Sequence, residues 1–365
     1  ELHAHAAQGA HHQAQRAHHG KALPCGGGGC DEGGRGKAEK AVCEVMRSGC
    51  YILGPNVKAL ESELASYIGC KYTVALNSGT DALHIALRAL NIGEGDEVIT
   101  TAFTFVATAE AIGMVNAKPV FVDIDPDTFN IDPAKIEAAI TPKTTAIMPV
   151  HVYGNVCNVE KIQQIADKYG LRVIYDAAHA FGVTIDGIPI ASYGDISMFS
   201  FHATKVFNTI EGGALVFHDD DLIYDFKSLK NFGITPDNEE VQYLGVNAKM
   251  NEFQAAMGLC NLRHIDDEIN KRKHVAECYR KRLENVEGIG LRNMQDGVKH
   301  NYAYFPIFVD WKKFGKSRNE VYELLKEKGI NTRKYFYPLT SEFECYRGMF
   351  DVTKTPVALE VSRQV

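Results

Sequence analysis

Residues 172–179 read Arg-Val-Ile-Tyr-Asp-Ala-Ala-His, a short apolar run that ends in an acidic side chain. Similar apolar runs recur along the chain, at 97–101, 119–123, 145–150, 195–200 and 213–217. The stretches 130–140 and 159–169 between them have a helical period. Short buried strands that alternate with helices predict an α/β fold, a mostly parallel central sheet with helices on both faces. Ligands of such sheets bind at the carboxyl ends of the strands, where Asp176 falls.

A lysine follows this strand end in the run 200–213, which reads Ser-Phe-His-Ala-Thr-Lys-Val-Phe-Asn-Thr-Ile-Glu-Gly-Gly. Taken alone, such a lysine is usually a solvated surface residue, and an Asp that ends a strand is often only a helix N-cap. Taken together, Lys205 and Asp176 suggest an aldehyde cofactor with a pyridine ring. Pyridoxal phosphate needs an amine for a covalent bond and an anion that keeps its ring nitrogen protonated.

A phosphate cradle is the third requirement of that cofactor. Residues 72–76 have the pattern of a short strand, and residues 81–90 place their apolar side chains on one helical face. The segment 77–80 between them reads Asn-Ser-Gly-Thr. A glycine admits close backbone approach, a helix N-terminus offers unpaired N–H groups, and hydroxyls add donors. By itself the motif fits an N-capped helix better than a phosphate cradle, and only its order before Asp176 and Lys205 favours the cofactor.

The chain resembles the fold-type-I pyridoxal phosphate enzymes, and within them the sugar aminotransferases of the DegT/DnrJ/EryC1/StrS family. The resemblance runs from about Gly54 to Val365 and implies a large cofactor domain and a smaller C-terminal α+β domain. The motifs that carry it are Asn77-Ser-Gly-Thr-Asp-Ala-Leu, Thr104-Phe-Val-Ala-Thr, Pro119-Val-Phe-Val-Asp-Ile-Asp, Pro149-Val-His-Val-Tyr-Gly, Asp176-Ala-Ala-His-Ala-Phe-Gly, the Lys205 run, and Gly245-Val-Asn-Ala-Lys-Met-Asn-Glu-Phe-Gln-Ala-Ala.

This resemblance implies a role for each residue that matches a family motif. Lys205 would bond to the aldehyde and move a proton between substrate and cofactor, and Asp176 would face the ring nitrogen. His179 would lie near the ring hydroxyl, and Phe105 would stack on the ring. The phosphate would be held by Gly79, Thr80 and Ser200, together with Asn247 of a second subunit. A site shared in this way implies a homodimer with active sites at the subunit interface.

The function implied by the resemblance is transamination of a nucleotide-linked 4-keto-6-deoxyhexose, with glutamate as amino donor. The amine would pass through pyridoxamine phosphate in two half-reactions, and the product would be an amino sugar for polysaccharide or glycoside assembly. The amino-acid sequence of the Lys205 run is similar to that of family members that aminate carbon 4 of a dTDP-linked sugar. Family members that aminate a 3-keto sugar remain an alternative, as does a non-catalytic regulatory protein that binds pyridoxal phosphate.

Two further alternatives are disfavoured by the residues themselves. A dehydratase branch of the same family has histidine where this chain has Lys205. A nicotinamide oxidoreductase of similar topology would need a Gly-x-Gly-x-x-Gly turn after its first strand, and the sequence contains none there.

Several residues are candidates for contacts to the substrate. Four of them could line a sugar-nucleotide pocket: His300, Tyr302, Arg333 and Tyr335. Cationic side chains in such a pocket would pair with the charge of a diphosphate. The alternative is an ordinary domain surface. Isolated His and Tyr residues are more often satisfied by structural hydrogen bonds than they are acid–base catalysts. Besides His300, three such residues are therefore expected only as second-tier substrate contacts: His151, His202 and Tyr153.

The composition of the chain indicates which binding partners and which cellular compartment to expect. The chain has 365 residues, is 45% hydrophobic and 23% charged, and carries a net charge of −7. It therefore has no basic field for nucleic acid. Nine cysteines without a Cys-x-x-Cys pair predict neither a disulfide framework nor a metal site, and they favour a reducing cytoplasm. No apolar stretch reaches the roughly 18 residues of a membrane span, so no membrane is expected.

The chain divides into three predicted segments. Residues 1–36 contain six histidines, four consecutive glycines and few large apolar residues, and we expect a disordered, tag-like or artefactual extension. Residues 37–265 would form the large cofactor domain, which a helical region at about 251–283 joins to the small domain, 266–365. Family members usually continue beyond Val365, so the resemblance predicts a truncated small domain.

Overall fold

A computed structural model of the protein describes residues 32–237 and 240–365. Most of the predicted extension, residues 1–31, lies outside the described residues. The strands are β1 (Tyr72–Leu76), β2 (Glu97–Thr101), β3 (Lys118–Val122), β4 (Thr144–Ile147), β5 (Arg172–Asp176), β6 (Thr184–Ile185), β7 (Ile188–Pro189), β8 (Ile196–Ser200), β9 (Gly213–Phe217), β10 (Ile289–Gly290), β11 (Val298–Lys299) and β12 (Phe308–Val309).

The α-helices are α1 (Glu32–Ser48), α2 (Pro55–Ile68), α3 (Gly79–Ala89), α4 (Ala107–Met114), α5 (Pro133–Ile136), α6 (Val159–Tyr169), α7 (Leu222–Leu229), α8 (Glu252–Leu262), α9 (Ile265–Leu283), α10 (Trp311–Phe314), α11 (Arg318–Glu327) and α12 (Pro356–Gln364). Short 3-10 turns lie at Glu137–Ala139, Val152–Gly154, Ile190–Ser192, Thr340–Glu342, Glu344–Tyr346 and Val352–Lys354.

The central sheet has seven strands in the order β1-β9-β8-β5-β4-β2-β3. Strand β9 runs antiparallel to both of its neighbours, β1 and β8, and the remaining pairs are parallel. The mostly parallel sheet predicted from the apolar runs is therefore confirmed. All strands except β9 point their carboxyl ends to the same edge, and the first residue of β9 lies at that edge as well.

Helices cover both faces of this sheet. The alternation of β1 shows it: Ala75 packs in a core with side chains of α2, α6 and α8, whereas Val74 and Leu76 pack in a second core with α3, α4 and α7. Because each strand is buried on both sides, its sequence is a nearly continuous apolar run.

The predicted helical region at 251–283 consists of two helices, α8 and α9, separated at Arg263 and His264. The start of the second helix is favoured by acidic side chains in its first turn, at Asp266, Asp267 and Glu268, which lie near the positive end of the helix dipole. The start of α2 is fixed by the buried Glu252, whose carboxylate accepts hydrogen bonds from the backbone N–H groups of Gly54, Asn56 and Val57 at 2.9, 2.7 and 3.1 Å.

The chain after residue 265 is joined to the preceding part through a strand pair and through the start of a helix. Strand β11 pairs with β6, and the buried carboxylate of Asp123 accepts hydrogen bonds from Val357 and Ala358 at the start of α12, at 3.1 and 2.8 Å. The proposed boundary between residues 265 and 266 stays a prediction. In the part of the chain with described coordinates, none of the helices is both long enough and apolar enough to span a membrane.

Candidate active site

The predicted cofactor residues come together at the carboxyl edge of the sheet. Asp176 is the last residue of β5 and lies opposite Met198 of β8, and Ser200 is the last residue of β8. Ser200 in turn lies opposite Gly213, the first residue of β9. The loop 201–212 between β8 and β9 carries Lys205. The sheet itself therefore places the acid, the hydroxyl and the amine beside one another.

The phosphate cradle adjoins them at the start of α3. Ser78 is the N-cap, and its hydroxyl accepts a hydrogen bond from the backbone of Asp81 at 3.1 Å. Gly79 and Thr80 then present the first backbone N–H groups of the helix, which have no acceptor within it. A Cβ at Gly213 would lie 2.6 Å from the carbonyl oxygen of Ser78 and 2.7 Å from the nitrogen of Gly79. Only glycine allows β9 to run this close to the cradle.

Asp176 is buried and is held by two donors. Its carboxylate accepts hydrogen bonds from the Thr108 hydroxyl at 2.8 Å and from the Ala178 backbone at 3.1 Å. Burial raises the pKa of Asp176, and these two bonds and the charge of Lys205 partly oppose that rise. Within the described residues, no lysine, arginine or histidine forms an ion pair with this carboxylate. A cationic group placed against this buried acid would therefore balance its charge, and a protonated pyridine nitrogen would supply such a group.

Lys205 is half-buried at the centre of its loop, and its backbone N–H donates to the carbonyl of His202 at 2.8 Å. Burial lowers its pKa from 10.5 to about 8. The charge of Asp176 opposes this fall, and the charge of Arg333 reinforces it. A useful fraction of the amine is therefore neutral near physiological pH, as a nucleophile or a base must be.

His179 is buried three residues after Asp176. Its Nδ1 accepts a hydrogen bond from the backbone N–H of Tyr153 at 3.2 Å, which leaves the ring proton on Nε2. Burial, followed by the charge of Lys205, holds the pKa of His179 well below its ordinary value. The ring is therefore a neutral donor through Nε2. It stacks on Phe336, with ring centres 5.9 Å apart, and meets the edge of Tyr304 at 4.7 Å.

The other predicted cofactor residues occupy exposed positions. Phe105 is 55% exposed at the end of the turn after β2, and such a ring gains hydrophobic free energy when a flat partner covers it. Asn247 is exposed too, and its side chain accepts a hydrogen bond from Lys249 at 2.7 Å. Its backbone carbonyl accepts from the Asn77 side chain at 3.3 Å, so Asn247 lies next to the cradle of its own chain. Its expected reach into a second subunit stays a prediction.

The four predicted substrate residues divide into two pairs. Arg333 is exposed and donates to the Tyr335 hydroxyl at 2.5 Å, and its charge acts on Lys205. His300 is buried, and its Nδ1 accepts from the backbone of Tyr302 at 2.8 Å. Burial lowers the pKa of His300 to about 4. Its ring nitrogen is thus engaged locally, and it is neutral at physiological pH.

The second-tier candidates are held by structural contacts. His151 is buried, stacks on Tyr175 with ring centres 4.8 Å apart, and accepts a hydrogen bond from the Cys157 backbone at 3.1 Å. Burial lowers the pKa of His151 to about 3. The Tyr153 hydroxyl donates to the carbonyl of Tyr335, and His202 is exposed beside Thr204.

Sequence reasoning missed two residues that complete the site, Thr108 and Tyr304. Thr108 donates to Asp176 and also exchanges a 3.1 Å hydrogen bond with Thr104. Tyr304 and Phe336 bring two aromatic rings from the last hundred residues against His179. Thr108 ends a quoted motif, Thr104-Phe-Val-Ala-Thr, and the spacing of its two threonines was the available signal.

Comparison with known proteins agrees with the family resemblance of the sequence. Residues 34–365 match the family model described as the DegT/DnrJ/EryC1/StrS aminotransferase family. The dTDP-4-amino-4,6-dideoxy-D-glucose transaminase of Shigella dysenteriae is 45% identical over 312 residues, which are 86% of this chain and 84% of that protein. The pleiotropic regulatory protein of Geobacillus stearothermophilus is 42% identical over 303 residues, covering 82% and 79%. The structure of ntda from Bacillus subtilis with bound cofactor PMP has a TM-score of 0.81 at 32% identity, covering 91% and 76%.

The reactivity of Lys205 provides a test of the site's electrostatics. A neutral amine reacts with an acylating reagent and an ammonium does not, so labelling of Lys205 in the apoprotein should rise with pH through about 8. Arg333→Gln removes a cation and should move that midpoint up, and Asp176→Asn should move it down. Mass spectrometry of the labelled peptide measures the rate, with the exposed Lys161 as internal reference. A midpoint near 10.5 in the unaltered protein would contradict the assignment.

Thr108→Val tests whether the hydroxyl tunes Asp176. The substitution preserves shape and removes a donor, so the pKa of Asp176 should rise further. We expect the affinity for pyridoxal phosphate, measured by equilibrium dialysis, to fall about tenfold at pH 6 and less at pH 8. Thr145→Val is the matched control, because the hydroxyl of Thr145 is also buried but has no hydrogen-bond partner within the described residues. Equal losses in both variants would show that the effect is not specific to Asp176.

Proposed function

Because the chain belongs to the DegT/DnrJ/EryC1/StrS aminotransferase family, we propose that it transfers an amino group from glutamate to a dTDP-linked 4-keto-6-deoxyhexose. The family confirms the enzyme class predicted from the sequence, a sugar aminotransferase that depends on pyridoxal phosphate. The position aminated and the nucleotide are supported by the name of the Shigella relative. The choice of glutamate is supported by the family resemblance of the sequence alone.

One observation carries the proposal. A buried carboxylate, which forms no ion pair within the described part of the chain, and an amine with a pKa of about 8 lie at the same edge of the sheet. Perturbed pKa values of opposite kinds in one site are typical of acid–base catalysis. A surface lysine and a helix-capping aspartate would show neither feature.

The residues fit pyridoxal phosphate. When bound, this cofactor supplies an aldehyde that holds amines and a ring that accepts electrons. Asp176 would keep the ring nitrogen protonated, and the Nε2–H of His179 would donate to the ring hydroxyl. Phe105 would cover one ring face. The N–H groups of Gly79 and Thr80, with the Ser200 hydroxyl, would hold the phosphate.

Lys205 would act as the base at the reacting carbon. Its neutral form accepts a proton there, and the resulting ammonium is stabilised by Asp176, whose charge raises the pKa of the lysine. The same ammonium can return the proton, because a group with a pKa near 8 exchanges protons readily in both directions at neutral pH.

Arg333 and Tyr335 are proposed to contact the nucleotide diphosphate. Arg333 is exposed, its guanidinium can bind phosphate oxygens with two N–H groups, and its charge reaches Lys205. His300 and Tyr302 are proposed to support the same pocket from behind, since His300 is buried and bonded to the Tyr302 backbone.

A homodimer is proposed because apolar side chains next to the cradle are left uncovered. Leu244 is 82% exposed, and Val241 and Phe232 are also exposed. They belong to the segment that contains Asn247, which pairs with Asn231 and lies against Asn77. Clustered apolar side chains of this kind mark protein interfaces. A second copy of the chain placed here would bring its own Asn247 towards this site.

The activity is tested by incubating the protein with glutamate and a panel of dTDP- and UDP-linked keto-sugars, with mass spectrometry of the products. We expect a 4-amino-4,6-dideoxy sugar linked to dTDP. Lys205→Ala should lower turnover about 1,000-fold and remove the visible absorbance of the bound cofactor, because the covalent bond and the base are lost together. Lys161→Ala, on the exposed face of α6, is the control.

Other outcomes of that experiment separate the alternatives. A 3-amino product would transfer the assignment to the 3-keto-sugar transaminases. Tight cofactor binding without turnover of any sugar in the panel would support a regulatory protein. An active, yellow Lys205→Ala variant would contradict the role of Lys205 altogether.

The dimer is tested by Leu244→Glu, which places a charge in the proposed interface. We expect sedimentation equilibrium to show a dimer for the unaltered protein, and a dissociation constant raised at least about tenfold for the variant. Ile330→Glu is the matched control, because Ile330 is an exposed isoleucine after α11. A monomer at all concentrations of the unaltered protein would contradict the proposal.

A further inference from the structure

Helix α8 holds the loop that carries Lys205. Three of its residues, four and then three positions apart, lie on the side that meets this loop: Gln254, Gly258 and Asn261. The side-chain amide of Gln254 donates to the carbonyl of Glu211 at 2.7 Å, and that of Asn261 donates to the carbonyl of Asn208 at 2.9 Å. The loop is thus tied down on the C-terminal side of Lys205 by two side-chain donors.

Gly258 allows the loop to approach the helix between these two bonds. A Cβ at this position would lie 2.8 Å from the Cγ2 atom of Thr209 and 3.0 Å from the Leu60 side chain. Glycine inside a helix is less favourable than alanine. The contact between the helix and Thr209 offsets that cost. The N-terminal arm of the loop is held separately, because it continues from β8 at Ser200.

The same helix start also contacts the phosphate cradle. The backbone N–H of Asn77 donates to the carbonyl of Ala248 at 2.9 Å, just before α8 begins. Gln254 makes a second, long contact of 3.5 Å from its amide nitrogen to the carbonyl of Asn77. Its amide oxygen accepts from the backbone of Asn251 at 2.9 Å and so completes the capping box of the helix. One side chain therefore joins the helix cap, the cradle and the lysine loop.

We propose that Gln254 is a positioning residue, whose amide nitrogen fixes the lysine loop relative to the phosphate cradle, and that Asn261 assists it. The inference rests on the proposed function to the extent that Lys205 and the cradle serve one cofactor. Bonds to Glu211 and Asn77 hold the two parts at a fixed separation. An amine misplaced by about 1 Å from its reacting carbon can lose about a hundredfold in rate.

Gln254→Glu separates this role from that of a helix cap. Glutamate at this position keeps an oxygen for the Asn251 backbone and is itself favoured in a capping box. It replaces the donor with a second acceptor that faces the carbonyls of Glu211 and Asn77. Asn261→Asp makes the same exchange opposite Asn208. Gln163→Glu is the matched control, since Gln163 lies on the exposed side of α6 and bonds only to Asp167 within the described residues.

The first measurement is hydrogen exchange of residues 201–212 in the protein without cofactor. We expect exchange of this peptide to rise about tenfold in Gln254→Glu, by a smaller factor in Asn261→Asp, and not at all in Gln163→Glu. The melting temperature should stay within about 2 °C of the unaltered protein, because the cap is retained. Unchanged exchange in the loop, or an equal rise in every peptide, would overturn the proposal.

The second measurement uses the enzyme with bound pyridoxal phosphate. We expect Gln254→Glu to release the cofactor about tenfold faster and to lose about tenfold in kcat with little change in the KM of the sugar nucleotide. A rise in KM alone would show a role in substrate binding and would also overturn the proposal. If the unaltered protein aminates no sugar in the panel, the proposed function fails, whereas loop exchange and cofactor release still decide the role of Gln254.

Discussion

The site depends on a carboxylate that the chain buries without fully neutralising. Removing an anion from water costs several kcal/mol unless donors or a cation replace the lost hydration. Asp176 receives two hydrogen bonds, from Thr108 and Ala178, and a more distant charge from Lys205, and burial still prevails in its pKa. The folded chain therefore leaves the lost hydration of Asp176 only partly compensated. For this reason a cationic ring placed against Asp176 gains more binding free energy than it would at an exposed acid. The strand ends around it then fix where the rest of the ring must lie.

Close contacts at two glycines bring the phosphate cradle and the lysine loop into place beside Asp176. Gly213 lets β9 lie against the cradle, and Gly258 lets the lysine loop lie against α8. Each contact leaves no space for a side chain at the glycine: Gly213 meets the backbone of Ser78 and Gly79, and Gly258 meets the side chains of Thr209 and Leu60. Side chains such as Gln254 then fix the remaining freedom of the loop. Contacts made within the folded chain before any cofactor binds reduce the conformational entropy lost on binding.

Much of this arrangement was predictable from the sequence. Contacts between residues that are far apart in the sequence were not. The sheet, the cradle and Asp176 follow from local patterns, since apolar runs and strand ends are read within a few residues. The bond from Thr108 to Asp176 joins residues 68 positions apart, and the contact between Tyr304 and His179 joins two parts of the fold. Such pairs depend on how the helices pack, which local periodicity does not encode. The division of the helical region at Arg263 was missed for the same reason.

The charges around Lys205 also connect substrate binding to the acid–base chemistry. In the free protein, Arg333 lowers the pKa of Lys205 and so favours the neutral amine. A diphosphate bound to Arg333 would cancel most of that positive field, and the pKa of Lys205 would then rise towards the value set by Asp176 and burial. The amine would thus be neutral when it must bond to an aldehyde and more basic when it must take a proton from a bound substrate. Arg333 makes the smallest of the three contributions to the pKa of Lys205, after burial and Asp176, and its charge acts on the lysine without direct contact.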